Sequence, residues 1–184
     1  YNCGPLLYRF EDSSPTDITK ESYLKFGTQY AVNTLDDIYF PTKGAEFDME
    51  YYYAIPLNGN KAFHTAGIHW NAAFSFNSRF TLMPRIGRYL TTENTVAEMN
   101  TLGGQERGKY FSQQIPFYGI NHFEMSHRSL VVAGIEARQR IGGKHYVSGV
   151  FNIAATSDDW MHFFKNSFND NDLLGYHIFG GAVK

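Results

Sequence analysis

The sequence predicts an all-β protein, a segment of an antiparallel transmembrane β-barrel, and three observations carry that prediction. Apolar and polar residues alternate over segments of about a dozen residues, whereas globular strands have about 5 to 6 and tilted membrane strands about 9 to 11. Aromatic residues make up 17% of the chain, yet its mean hydropathy is only −0.36. Strands that alternate lipid-facing and lumen-facing residues average out in this way. Tight turns also alternate along the chain with long loops.

Composition excludes several classes of protein. No run approaches the roughly 20 apolar residues of a membrane-spanning helix. Sixteen basic and 18 acidic residues give a net charge of −2, so we expect no nucleic acid as a partner. Cys3 is the only cysteine, which rules out an internal disulfide and favours an inert thiol. The first residues lack a signal peptide, and we expect the chain to begin inside a larger protein.

The first long strand is predicted from Ser22 to Thr34, after a short strand around Leu6 to Phe10 and a polar loop. Its two faces differ in character, since period-two alternation sends successive side chains to opposite sides. The apolar face has Leu24, Phe26, Tyr30 and Val32, and the other has Lys25, Gly27, Gln29 and Asn33.

A turn at 35 to 43 and Gly44 lead to a second strand, from Ala45 to Ile55. Its carboxylates recur at every second position: Glu46, Asp48 and Glu50. We interpret them as a lumen-facing row of like charges, with the alternating Phe47, Tyr51 and Tyr53 facing lipid. Judged alone, the strand fits a solvated face of a soluble sheet equally well.

The next two strands are predicted at Phe63 to Phe76 and Arg79 to Thr91, joined by the Asn77-Ser78 turn. Three aromatic side chains of the first are predicted to face lipid, namely Trp70, Phe74 and Phe76. Pro84 lies within the second and predicts a bulge or an irregular stretch there.

A long segment, 92 to 128, is predicted to be an irregular loop directed into the lumen. Strands at Ser129 to Ile141 and His145 to Thr156 follow, joined by a tight turn at 142 to 144. The first is expected to turn Arg138 and Arg140 towards the lumen. After a polar loop at 157 to 174, a last strand is predicted from Gly175 to Lys184. Short turns and long loops at opposite ends are typical of outer-membrane barrels.

Three stretches carry a family resemblance: LDDIYFPTKGAEF at 35–47, GGQERGKY at 103–110 and VVAGIEARQRI at 131–141. In this order they resemble the bacterial surface antigen superfamily, the outer-membrane assembly-factor barrels. The spacing from Gly104 to the stretch RQRIGGKHYV at 138–147 is most similar to that of the barrels fused behind patatin-like phospholipase domains. The resemblance implies the bacterial outer membrane, its lipid as a partner, and about eight strands here of a barrel with about 16, an even number as such barrels require. Other outer-membrane proteins or a second copy of the chain are possible partners.

The same resemblance points to a lumen loop motif. Arg107 and Gly108 match the family's arginine and glycine, after Gly103 and Gly104, but Lys109 displaces the aromatic residue to Tyr110. The family sets an aspartate opposite this arginine, and here that position is Asn152. Glu136, on the polar face of its strand, is the alternative partner, because a buried guanidinium needs a carboxylate or several carbonyls.

Catalytic chemistry is missing from the sequence. No G-x-S-x-G nucleophile elbow is present. The seven histidines show no zinc pattern, and His64 and His69 would point to opposite faces of one strand. The loop that begins at Asp170 lacks the twelfth-position glutamate of a calcium site. We therefore predict a barrel that is not an enzyme, with no metal and no cofactor.

Three functions remain open at this stage. The barrel anchors or exports an upstream lipid-hydrolysing domain, or it is an insertase or translocase that assists outer-membrane protein assembly. The alternative from another class is a soluble β-barrel that binds an apolar ligand, with its apolar faces turned inward.

Overall fold

The computed structural model describes residues 23–57, 61–92, 99–104, 114–121, 124–143, 145–157 and 177–183. Their long strands are β1 (Tyr23–Asn33), β2 (Lys43–Pro56), β3 (Phe63–Ser75), β4 (Phe80–Thr91), β8 (Ser129–Gly142), β9 (His145–Ser157) and β10 (His177–Val183). Three short strands lie between β4 and β8: β5 (Asn100–Leu102), β6 (Gln114–Ile115) and β7 (Met125–His127). In the described part of the chain, no helix has the length and apolar character needed to cross a membrane.

The long strands form one antiparallel sheet in the order β1-β2-β3-β4-β8-β9-β10. The all-β, antiparallel prediction is therefore confirmed, and the sheet is open, with β1 and β10 at its edges. A second sheet has the order β6-β5-β7, in which β5 is parallel to β6 and antiparallel to β7.

The predicted strands agree with the observed ones to within two residues at each end, and the differences have local causes. Phe76 was placed in β3 but belongs to the turn that follows it. The predicted irregular segment contains β5 to β7, which have only two or three residues each. Strands this short cannot show alternation. The expected strand at Leu6 to Phe10 lies outside the described residues.

Pro84 disturbs the sheet on one side only. The ladder between β3 and β4 is interrupted between the pairs Asn71–Arg85 and Phe74–Leu82. On the other side the pairing continues through Pro84 and Ile135. Proline has no backbone N–H and so cannot donate a hydrogen bond to one of its two neighbouring strands. The predicted irregularity is therefore confined to the ladder with β3.

The register gives the large sheet two chemically different faces. We call the face that carries Glu46, Asn71 and Arg85 the inner face, and the opposite one the outer face. On β1, Lys25, Gly27, Gln29 and Asn33 lie on the inner side, and Leu24, Phe26, Tyr30 and Val32 on the outer side, in agreement with the alternation of the sequence.

The small sheet packs against the inner face and buries the apolar cluster of the molecule. From the large sheet come Tyr89, Leu130, Val132 and Ala154; from the segment between β4 and β8 come Leu102, Ile115 and Phe117. Phe117 is fully buried. Removing a buried phenylalanine side chain costs about 3–5 kcal/mol, so this cluster is the main attachment of the segment to the sheet.

The connections sort onto two ends of the large sheet. Residues 34–42, the turn at 76–79 and the turn after Gly142 lie at one end, which we call the short-turn end. The end of β2, the start of β3 and the described residues of the segment with β5 to β7 lie at the other, the long-loop end.

Candidate functional site

One level of the inner face carries a row of aligned residues that crosses every strand of the large sheet. We call it the polar row. Each member is the register partner of the next, in the order Asn33, Glu46, Asn71, Arg85, Gly134, Asn152 and Gly180. Five of the seven carry amide or charged side chains on the same face, and the other two are glycines.

Arg85 is the central cation of the polar row. Its guanidinium Nη2 donates a hydrogen bond to Oδ1 of Asn152, two strands away. Gly134 lies between them, and a Cβ there would come within 2.7 Å of Arg85 Nε. The guanidinium also lies 5.3 Å from the ring centre of Tyr118, within the range of a cation–π contact. Glu136 adds an attractive charge interaction.

Asn152 joins the sheet to the segment that lies on it. Its side chain is fully buried, and Nδ2 donates to the carbonyl oxygen of Tyr118 at 3.0 Å. An aspartate could accept from Arg85 but could not donate to this carbonyl. The asparagine side chain therefore accepts a hydrogen bond from Arg85 and donates one to the Tyr118 carbonyl. The expected ion pair with an aspartate would provide only the first of these.

Gly180 completes the row because any side chain there would collide with the same carbonyl. An added Cβ would lie 1.9 Å from Tyr118 O and 2.7 Å from Cε1 of Phe117. Gly119 has a positive φ of 104°, and a Cβ added to it would lie 3.3 Å from Cα of Gly180. The chain from Phe117 to Gly119 is thus seated on the row by backbone contact.

The predicted motif glycines hold the other end of this segment. Gly103 and Gly104 have positive φ values of 136° and 83°, which side-chain-bearing residues rarely adopt. Their amides donate to the carbonyls of Ile115 and Ile120, both at 3.1 Å, and Gly104 O accepts from the Phe117 amide at 2.9 Å. The two glycines therefore shape the turn that returns the chain to the sheet.

A cavity of about 220 Å³ lies beside the polar row. Its polar wall includes Glu46, Asn71, Arg85 and Glu136, with Asn71 Nδ2 donating to Glu46 Oε2 at 2.8 Å. The opposite wall is apolar and comes from the β1–β2 connection, with Leu35, Ile38 and Pro41. The site thus combines charged and apolar surfaces on the inner face.

The structure brings both predicted partners of Arg107 to a different arginine. Asn152 and Glu136 lie at Arg85, which is not among the site residues predicted from the sequence. Arg107, Gly108 and Tyr110 lie outside the described residues, so their anchoring role stays a prediction. Arg85 and Asn152 are 67 positions apart, and their alignment depends on the strand order. No local signal in the sequence could have revealed it.

The other predicted charges share the inner face. Glu46, Asp48 and Glu50 project from β2, and Asp48 accepts a hydrogen bond from Gln29 Nε2 at 2.9 Å. From β8, Arg138 is almost fully buried, whereas Arg140 is exposed and donates to Gly143 O at 2.7 Å. Of these five charges, the three acidic ones lie on β2 and the two basic ones on β8.

Five of the six aromatics predicted to face lipid lie on the outer face, namely Phe47, Tyr51, Tyr53, Trp70 and Phe74. The sixth, Phe76, lies in the turn, with its ring centre 6.0 Å from that of Phe80. His64 also faces outward and is hydrogen-bonded to the Tyr51 hydroxyl at 2.7 Å. His69 lies on the inner face opposite Asp48, so the two histidines do point apart.

Arg88 is a partly buried cation on the outer face. Arg88 is the register partner of Ile68 and of Val131, and its Nε and Nη2 atoms are shielded from solvent. Within the described ranges, no cluster of three or more histidine, cysteine or acidic side chains could hold a metal ion.

Comparison with known proteins gives one match. A family model described as the OMP85 superfamily matches residues 7–182 of the 184. No curated protein and no solved structure matches the chain.

Proposed function

The chain belongs to the OMP85 superfamily, and on that premise we propose that it is part of an outer-membrane β-barrel that anchors or exports an upstream patatin-like phospholipase domain. Membership of the superfamily indicates an outer-membrane barrel domain involved in assembly or secretion. The phospholipase partner rests on the similar motif spacing from Gly104 to the stretch at 138–147 and is the finer part of the proposal.

The observation that best supports the membrane barrel is the exposed apolar outer face. Phe26 on β1, Ile68 on β3 and Phe151 on β9 are 55%, 46% and 53% exposed. Each lies outward by register. A soluble barrel that binds an apolar ligand would turn these side chains inward and the charged row outward, which is the reverse of the observed arrangement.

The length of the outer face also suits a membrane. On β3, outward side chains run from His64 to Phe74, ten residues further along. At about 3.3 Å per residue and a tilt of about 40°, this span covers about 25 Å along the membrane normal, the height of the apolar band of outer-membrane barrels. Aromatic or histidine side chains lie at both limits, where interfacial girdles occur.

The two open edges imply further strands. In lipid, each backbone group without a hydrogen-bond partner costs several kcal/mol, so β1 and β10 need neighbours to close the barrel. The inner face would then line its interior, with the segment from β5 to β7 inside it.

The phospholipase proposal is tested on the full-length protein in whole cells. We expect the reading frame upstream to encode a G-x-S-x-G elbow, and we expect its serine-to-alanine variant to abolish hydrolysis of a fluorogenic phospholipid. Tandem periplasmic repeat domains upstream, without that elbow, would instead support the insertase function. The membrane location is tested separately by extraction. If the native protein stays soluble and monomeric without detergent, the barrel proposal is wrong.

A further inference from the structure

The connection between β1 and β2, residues 34–42, folds back over the inner face at the short-turn end. We call it the crossing loop. Leu35, Ile38 and Pro41 line the cavity beside the polar row. The loop connects β1 to β2, but it also extends across β3 and β4 to contact β8 and β9. A connection that only reverses the chain needs fewer residues and no such contacts.

Two aspartates give the crossing loop a defined shape. Asp36 accepts hydrogen bonds from the Thr42 amide at 2.7 Å, from the Lys43 amide at 3.1 Å and from the Thr42 hydroxyl. Asp37 accepts from the amides of Tyr39 and Phe40 at 2.7 and 2.8 Å. Hydrogen bonds between aspartate and nearby amides replace backbone pairing in tight turns. The loop is therefore ordered by its own side chains.

Arg138 fastens the far side of the crossing loop to the sheet. Its guanidinium lies 5.6 Å from the ring centre of Phe40 and 5.5 Å from that of Tyr146, and Nη2 donates to Pro41 O. The rings of Phe40 and Tyr146 stack at 4.7 Å with an interplanar angle of 14°. Ser75 Oγ adds a hydrogen bond to Thr42 O at 2.8 Å. Strands β3, β8 and β9 thus hold the loop in place.

The tip of the loop is apolar although the inner face is polar. Ile38 and Tyr39 are 88% and 82% exposed, and Ile38 lines the same cavity as Arg85 and Glu136. Apolar side chains fixed in an aqueous passage raise a barrier to ions, because water leaves a narrow apolar constriction.

We propose that the crossing loop is a gate that closes the short-turn end of the barrel interior to ions and small hydrophilic solutes, with Arg138 as its positioning residue. The proposal rests on the proposed function only in that the inner face lines a barrel. Ile38 and Tyr39 form the barrier, and the contacts of Arg138 with Phe40, Tyr146 and Pro41 keep the barrier across the passage.

The experiment measures single-channel conductance of the full-length protein in planar lipid bilayers containing potassium chloride. Arg138→Ala should raise the mean conductance roughly twofold or more because the loop is released. The double variant Ile38→Ser, Tyr39→Ser should do the same without releasing it. Arg140→Ala is the matched control, since Arg140 lies on the same strand and face but its side chain donates to Gly143 O in the adjacent turn, and it should conduct like the wild type.

Wild-type conductance in both test variants would overturn the gate, and so would an equal rise in the Arg140→Ala control. The double variant changes exposed side chains only, so it remains informative if Arg138→Ala fails to fold. Failure of the wild-type protein to insert into bilayers would instead overturn the membrane-barrel proposal. Insertion with unchanged conductance in the variants overturns the gate alone.

Discussion

Gly180→Ala should detach the inner segment from the large sheet, and the structure gives the size of the effect. The new Cβ would lie 1.9 Å from the carbonyl oxygen of Tyr118. Carbon–oxygen contacts are normally about 3.3 Å or longer, so the carbonyl must withdraw by roughly 1.4 Å. That displacement breaks its 3.0 Å hydrogen bond from Asn152. Overpacking and the loss of a buried hydrogen bond together should cost about 2–4 kcal/mol.

The assay is urea-induced unfolding of the full-length protein from lipid vesicles, followed by tryptophan fluorescence, with limited proteolysis of the folded protein beside it. Gly149→Ala is the matched control, because Gly149 is also a strand glycine but has no atom within 4 Å of an added Cβ. We expect a lower urea midpoint and faster cleavage between β4 and β8 for Gly180→Ala alone. Equal midpoints for the two variants would refute the close contact between Gly180 and Tyr118.

Three further predictions concern single side chains. Arg85→Met removes the hydrogen bond to Asn152 and should lower the free energy of unfolding by about 1.5–3 kcal/mol. Arg79→Met, at an exposed turn position, is the control and should change it little. Equal losses in the two variants would contradict the central role of Arg85. Ile68→Lys should lower the free energy of unfolding in bilayers by about 2–4 kcal/mol, because it puts a charge on the lipid side. His69→Lys puts the charge on the inner face and should lower it less. The reverse order would mean that our assignment of the two faces is wrong. Hydrogen bonds from the Thr42 side chain and amide and from the Lys43 amide lower the pKa of Asp36. The stabilisation that ionised Asp36 provides is therefore complete above the ordinary carboxyl pKa of about 3.9. It is lost only as the pH falls below that value and through the lowered pKa. The urea midpoint of Asp36→Asn should therefore stay below that of the wild type by a constant amount between pH 7 and pH 5, and closure of the difference by pH 5 would contradict this.

The two faces of the large sheet carry different kinds of side chain. The outer face carries exposed apolar side chains on every long strand. The inner face can retain charges because they find partners there, as Arg85 does with Asn152 and Arg138 with Pro41. A guanidinium shielded from water must be offset by hydrogen bonds or charge, so both arginines are expected to be sensitive to substitution.

The sequence alone determined the strands and their faces. Alternation has a period of two residues, and over eleven to fourteen residues a strand such as β2 repeats it often enough to define both its ends and its sides. The outward position of Trp70 and the shared face of Glu46, Asp48 and Glu50 follow directly. The short strands β5 to β7 were missed for the same reason, since two or three residues contain no period.

Only the tertiary structure decided which residues form the site. Hydrogen bonding between strands sets the order and register of the sheet, and that alignment brings Arg85, Gly134, Asn152 and Gly180 to one level. These residues are far apart in sequence, and no local pattern encodes their meeting. The same holds for Arg138 and Phe40, because a contact between a loop and a distant strand depends on the strand order of the whole sheet. Alternation is a local property of the chain, whereas register and contact are properties of the assembled sheet.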